Sequence, residues 1–159
     1  VFLSAGTEVS AYQTAYGLRD VTGFGVYGDL HFRSSVALEG EARQLRWHTA
    51  EDVTESSFVV GPRVELLRRG RLRPYAKLLF GGAILRFPFD YGRGTYFAVV
   101  PGAGVEFRLS DRVTLRPVDV EYQTWTAFTF GAMHPYGISA GLSVRLTRPN
   151  LFRRDPYVE

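Results

Sequence analysis

The chain has no cysteine, a single lysine and no long apolar run. The absence of cysteine among its 159 residues excludes disulfides and thiolate metal sites, and leaves the compartment open. No stretch of about 18 apolar residues occurs, which excludes a membrane-spanning helix. All but one of the 19 basic residues are arginine, the exception being Lys77. Arginine presents a planar fork that grips carboxylates bidentately and is always charged, so it suits buried pairing. The net charge is only +3, and basic residues alternate with acids instead of lining one patch, so no nucleic-acid partner is expected. The first residues, Val1 to Gly6, lack a basic n-region. Any signal peptide is expected to have been removed or left out.

What the chain does have is alternation. From Thr95 to Leu109, Phe97, Val99, Pro101, Ala103, Val105, Phe107 and Leu109 form one face without a charge. The other face carries Tyr96, Ala98, Val100, Gly102, Gly104, Glu106 and Arg108. A period of two identifies a strand, and this apolar face is longer than most soluble strands need. The pattern recurs, which predicts a transmembrane barrel with an apolar exterior and a filled polar interior. Mean hydropathy of −0.08 fits such a barrel, because half of each strand faces a polar lumen. The 14% aromatic content fits interfacial girdles.

Eight strand-like segments are predicted: Glu8–Tyr16, Gly23–Phe32, Val36–Thr49, Ser56–Leu67, Leu72–Phe87, Thr95–Leu109, Val113–Thr124 and Tyr136–Leu146. Connections alternate between tight polar turns (33–35, 68–71, 110–112) and longer loops (17–22, 50–55, 88–94, 125–135), the asymmetry of short periplasmic turns and long external loops. The fold predicted is all-β, an eight-stranded antiparallel up-and-down transmembrane barrel over residues 1–146, with a periplasmic tail over 147–159. An even strand number puts both termini on the periplasmic side. Open edges in lipid would leave backbone groups unpaired, so the sheet must close. Pro74 and Pro117 lie near strand starts, and Pro62 and Pro101 are expected to mark bulges. Arg116 is assigned outward, near headgroups.

The stretches Glu39-Gly-Glu41-Ala-Arg43, Gly61-Pro62-Arg63, Arg73-Pro-Tyr-Ala-Lys77, Pro101-Gly-Ala-Gly-Val-Glu106 and Asp119-Val-Glu-Tyr-Gln123 together resemble the small outer-membrane barrels of the OmpA-like superfamily, in the form common in Acidobacteria. The resemblance spans about Thr7 to Leu146. It implies export, an eight-stranded barrel in the outer membrane, insertion by the barrel assembly machinery and no known enzyme activity. Gly141-Leu-Ser-Val-Arg-Leu146 is similar to the C-terminal insertion signal, although it ends on Leu146 instead of an aromatic. No peptidoglycan-binding domain is expected after the barrel, so that role is not implied.

Asp29, Glu41, Arg43, Arg63, Glu65, Lys77, Glu106, Arg108, Asp119, Glu121 and Arg145 are assigned to an interior charge network, centred on Glu41, Arg43, Arg63, Asp119 and Glu121. An ion path is one reading. A salt-bridged plug is preferred, since eight strands leave room only for side chains. The carboxylate pairs Glu39/Glu41 and Asp119/Glu121 each share a strand face, which could serve acid–base chemistry, with charge-balanced packing the preferred reading. His48 and His134, expected near the external rim, lack metal-ligand spacing and a flanking serine motif. Catalytic, cofactor and metal sites are therefore not assigned. Glycines at Gly23/Gly25, Gly81/Gly82 and Gly102/Gly104 open no helix, so they are assigned to giving room to Arg or Tyr neighbours and to bending. Interfacial belts explain most aromatics near loops: Trp47, Phe87, Phe89, Tyr91, Trp125, Phe128 and Phe130. Two segments offer a partner contact, Phe128 and Phe130 in the longest loop, and Phe152, Arg153, Arg154 and Tyr157 in the tail, where a flexible tail is the alternative.

Functionally these features predict an outer-membrane protein with a structural or scaffolding role, lipid-embedded, without a cofactor, and open to being an accessory subunit of a larger assembly. The alternatives are a lipid-modifying barrel enzyme, a narrow pore, and a soluble lipocalin-like carrier, whose polarity would be inverted.

Overall fold

The computed structural model describes residues 1–13, 20–32, 35–46, 54–67, 69–86, 93–126 and 136–146. Alternating sequence becomes strand throughout: β1 (Phe2–Gln13), β2 (Asp20–His31), β3 (Val36–Arg46), β4 (Thr54–Glu65), β5 (Leu72–Arg86), β6 (Arg93–Arg108), β7 (Val113–Tyr122), β8 (Thr124–Thr126) and β9 (Tyr136–Arg145). From β1 to β7 each strand pairs antiparallel with the next, β8 pairs with β6, β9 pairs with both β7 and β1, and the β5–β6 pairing closes the sheet. The short β8 continues β7 beyond Gln123 on the same partner and in the same register, Val99 opposite Thr124 and Gly102 opposite Glu121. The two form one stave, so the barrel is closed with eight. β1 starts at Phe2, earlier than the predicted Glu8, because Ser4 and Gly6 keep the alternation without large side chains to announce it.

The outward faces are apolar. Val9, Phe24, Phe58, Phe97, Ile138 and Leu142 all stand exposed on the barrel wall, while the inward positions carry nearly all the buried charge. That polarity is the inverse of a soluble carrier's and matches a wall in hydrocarbon. Closure gives every stave two neighbours, which is what a sheet in lipid requires.

Both described ends of the chain lie at the short-turn end. Phe2 sits opposite His31, and the Leu146 amide donates to the Leu3 carbonyl at 2.9 Å. Gly70 takes a left-handed φ of 63° in the β4–β5 turn, a conformation glycine adopts without steric cost. In the β6–β7 turn, Ser110 Oγ accepts from the amides of Arg112 (3.2 Å) and Val113 (3.0 Å).

Among the described residues one bulge interrupts the ladders, on β7. Leu115 and Val118 face Phe107 and Val105 of β6, and Arg116 and Asp119 face Gly141 and Ser139 of β9. β7 therefore carries one extra residue against both neighbours. Pro117 and Val118 both point outward, and Arg116 and Asp119 both point inward. This corrects two expectations. Arg116 is fully buried instead of facing headgroups, because the extra residue inverts the phase of alternation below it. The bulge falls at Pro117, where a missing amide donor costs least. At Pro62 and Pro101 the register runs through unshifted.

Three inward tyrosines each face a glycine directly across a strand pair: Tyr12 opposite Gly137, Tyr27 opposite Gly6 and Tyr75 opposite Gly104. A Cβ at Gly137, Gly6 or Gly104 would lie 2.5, 2.5 or 2.4 Å from the facing tyrosine, so only glycine admits the ring. Gly102 similarly makes room for Lys77, whose Cε would be 2.9 Å from such a Cβ. Toward the long-loop end the lumen is apolar, packed by Val59, Leu79, Ala83, Ala98 and Val100.

Candidate functional site: the luminal charge network

Inward positions at mid-height stack in two layers contributed by alternate staves, the arrangement expected of a filled eight-stranded barrel. The layer nearer the long-loop end comes from odd-numbered strands: Glu8 (β1), Glu41 and Arg43 (β3), Lys77 (β5), Asp119 and Glu121 (β7). The layer nearer the short turns takes Asp29 (β2), Arg63 (β4) and Glu106 (β6). Glu39 and Arg116 join the two. All eleven are buried.

In the first layer, Arg43 Nη2 lies 2.6 Å from Glu8 and 3.0 Å from Glu41, and its Nη1 lies 2.6 Å from Glu121. The Tyr12 hydroxyl donates to Glu121 and accepts from Arg43. The Lys77 ammonium sits among four carboxylates, with Glu39 at 3.1 Å, Glu41 at 2.5 Å, Asp119 at 2.7 Å and Glu121 at 2.6 Å. An ammonium has three N–H donors, so one of these contacts is purely Coulombic.

In the second layer, Arg116 holds Glu39 with its fork, Nη1–Oε1 at 3.0 Å and Nη2–Oε2 at 2.9 Å. Its guanidinium also reaches Asp119 at 3.2 Å and Glu106 at 3.3 Å. Arg63 lies 2.7 Å from Glu106 and 3.0 Å from Asp29. Both guanidinium groups stack on tyrosine, Arg63 on Tyr75 and Arg116 on Tyr27, each 3.9 Å from the ring centroid. Such a face supplies electrostatic attraction where water is excluded. The Tyr75 hydroxyl donates to Asp119 at 2.7 Å. The glycines opposite these tyrosines are thus what lets the rings line the network.

The structure brings together eight of the eleven residues assigned from sequence: Asp29, Glu41, Arg43, Arg63, Lys77, Glu106, Asp119 and Glu121. The other three stand apart at the short-turn mouth, because each is the last or nearly last inward position of its strand. Glu65 meets Arg73 at 3.7 Å. Arg108 turns back to Asp111 at 2.6 Å, with its side chain a third exposed. Arg145 stacks on Phe2, 3.9 Å from the ring, beside the Phe2–His31 stack. Sequence reasoning left out Glu8, Glu39, Arg116 and the three tyrosines. Glu39 was signalled by its spacing from Glu41. Glu8 lies among small residues in β1, and Arg116 is hidden by the bulge. His48, His134, Phe128, Phe130, Phe152, Arg153, Arg154 and Tyr157 lie outside the described residues.

The network is a set of densely paired, buried charges. Opposed charges are desolvated and most are held by several partners each, and the Ser4 hydroxyl donates to Asp29 at 3.5 Å. The eleven groups comprise seven carboxylates and four cations, so this network is acid-rich.

No protein-family model matches the chain, and no curated protein matches its sequence. Among solved structures the fold is similar to that of Neisserial surface protein A, at 10% identity and a TM-score of 0.70 over 90% of this chain and 95% of that one. It is similar to the N-terminal β-barrel domain of Pseudomonas aeruginosa OprF, at 14% identity and 0.62 over 89% and 96%. It is also similar to the outer membrane enzyme PagL, at 16% identity and 0.61 over 86% and 97%. At these identities the likeness is one of fold: the chain is a small transmembrane β-barrel of outer-membrane type.

Proposed function

We propose that the protein serves in the bacterial outer membrane as a structural or scaffolding barrel closed to solutes, with its termini and short turns on the periplasmic side. The observation that supports this reading is the filled lumen. Four cations and seven carboxylates span its cross-section in two layers, and apolar side chains pack above them. A solute passing through would have to separate buried ion pairs and leave charges without their partners, which is strongly unfavourable. A solved neighbour named as an enzyme shows that this fold can carry catalysis, so the fold does not by itself decide the role. The wall, with its exposed aliphatic and aromatic side chains, gives lipid as the constant partner. The tail and the last long loop are the segments through which a protein partner would attach.

Two measurements test the reading. In planar bilayers with molar KCl, the purified barrel is expected to give no stable open-channel current. A steady conductance would refute closure. In fractionated cells the protein is expected in the outer membrane and extractable only with detergent, either alone or with stoichiometric partners. Partners would make it an accessory subunit. Recovery in a soluble fraction would refute the membrane reading.

A further inference from the structure

At the short-turn end the outer wall closes on leucine and gives way at once to arginine. The last outward positions of four staves are Leu66 beyond β4, Leu72 at the start of β5, Leu109 beyond β6 and Leu146 beyond β9, all exposed. Backbone hydrogen bonds tie these ends into one arc. The Leu66 amide donates to the Pro74 carbonyl at 2.9 Å, the Arg108 amide to Arg71 at 3.0 Å and the Arg145 amide to Arg112 at 2.7 Å. Past the leucines the turns carry Arg69, Arg71 and Arg112, each exposed. Arg73, Arg108 and Arg145 share a hollow with Arg112 on the inner side of the same arc. Against these six cations the described part of the arc sets two carboxylates. Glu65 lies 3.7 Å from Arg73, and Asp111 lies 2.6 Å from Arg108. Among the described residues Arg69, Arg71, Arg112 and Arg145 have no carboxylate within ion-pair distance, and none of the six reaches a carboxylate of the luminal network. The positive charge of this rim is therefore largely unspent.

We infer that this arc binds anionic phospholipid, with headgroup phosphates on Arg69, Arg71 and Arg112 and acyl chains against the leucines. The leucines continue the apolar wall formed by Val64, Leu78 and Val144, so hydrocarbon extends to the foot of the arginines. A lipid phosphate lies at the level where hydrocarbon ends, which is the level of these turns. A free anion would use the arginines and leave the leucines without a role. Guanidinium groups bind phosphate oxygens bidentately. A zwitterionic headgroup brings its own cation to the same phosphate, whereas an anionic one leaves that phosphate to the protein. An arginine beside an anionic lipid surface contributes about fivefold in binding. The inference rests on the wall lying in lipid. It is independent of lumen closure and of which side of the membrane the short turns face.

The test uses the folded barrel in detergent, freed of lipid and then mixed with equal amounts of phosphatidylglycerol and phosphatidylcholine. Phospholipid retained per chain is measured after gel filtration at low salt. Phosphatidylglycerol is expected to exceed phosphatidylcholine by about fivefold, and molar sodium chloride should remove most of the preference by screening. The variant Arg69→Gln/Arg71→Gln/Arg112→Gln should bring the ratio close to one. Arg46→Gln, exposed on β3 at the other end of the barrel, should leave it unchanged. If the triple variant does not fold, the lipid and salt dependence of the unaltered barrel decide alone. A folded barrel that retains both lipids equally, or a preference that survives in the folded triple variant, would overturn the inference. Displacement of the lipid by inorganic phosphate at matched ionic strength would also overturn it, in favour of a free oxyanion. A chain that stays soluble without detergent would instead refute the membrane reading on which the inference rests.

Discussion

Replacing Arg116 with methionine is the sharpest perturbation available, because sequence periodicity and structure assign this residue to opposite sides of the wall. Methionine keeps much of the volume and removes the charge. In the structure the change takes away the fork on Glu39 and the contacts to Glu106 and Asp119. Each of these carboxylates keeps at least one other cation: Glu39 keeps Lys77 at 3.1 Å and Arg63 at 3.4 Å, Glu106 keeps Arg63 and Asp119 keeps Lys77. Breaking a buried pair costs about 3–5 kcal/mol, and the surviving partners place the loss near the lower figure. About 3 kcal/mol is roughly a hundredfold in the folding equilibrium. The assay is urea unfolding in lipid vesicles, read by the gel-mobility difference between folded and unfolded barrel. The control is Arg108→Met, whose partner Asp111 is nearly fully exposed and which should shift the midpoint little. The double variant Arg116→Met/Glu39→Leu should recover part of the loss, because it removes both partners instead of stranding one. If Arg116→Met proves as mild as Arg108→Met, the buried placement of Arg116 is wrong, and with it the phase inversion at the bulge.

Other expectations follow from the same geometry. Deleting Pro117 removes the extra residue and leaves Arg116 and Asp119 both inward, so folding should survive. Deleting Val120 forces either Asp119 or Glu121 to face lipid, which is costly for a charge near the midplane, and should sharply lower folding yield. Gly104→Val places side-chain atoms where the Tyr75 ring lies and should cost about 1–3 kcal/mol as overpacking, visible as a lower unfolding midpoint. Arg63→Ala or Glu121→Ala opens the plug, so single-channel recordings should show conductance above that of the unaltered barrel. Unchanged closed recordings from a folded variant would mean that the apolar packing of Val59, Leu79 and Val100 seals the lumen by itself.

The sequence made the wall legible because lipid imposes one strict rule on outward residues. In β6, Phe97, Val99 and Val105 against Glu106 and Gly104 leave one workable orientation, and eight such staves fix the closure. The lumen is less constrained. There, charged, aromatic and glycine residues all qualify as inward, so the faces could be read but not the partners. Asp29 and Arg63 were assigned inward from their own strands, while their 3.0 Å contact depends on the tilt and stagger of β2 against β4. Tyr75 was visibly inward. That it needs Gly104 opposite is a matter of register, which one strand does not reveal. Arg116 was misassigned for a sharper reason. A bulge leaves composition untouched and shifts phase, so the count of two fails silently at Pro117. Arg108 and Arg145 obey the count but reach the strand ends, where water competes with the network for them.

The distribution of the luminal groups along the chain carries a consequence for how the barrel assembles. The residues joined in the network are far apart in sequence. Arg43 is 78 positions from Glu121, and Tyr12 is 109 from the same carboxylate. The seam that brings them within reach is the pairing of the first strand with the last, Ser10 opposite Ser139. Until that seam forms, a half-built sheet within the bilayer leaves carboxylates and guanidinium groups without water and short of the partners that only the closed lumen supplies. Partial insertion is therefore a state of high energy, and the chain is driven toward a single late closing event. Contacts of such long sequence separation make that event slow, so an unaided barrel is expected to wait at the membrane surface and then insert and close in one concerted step.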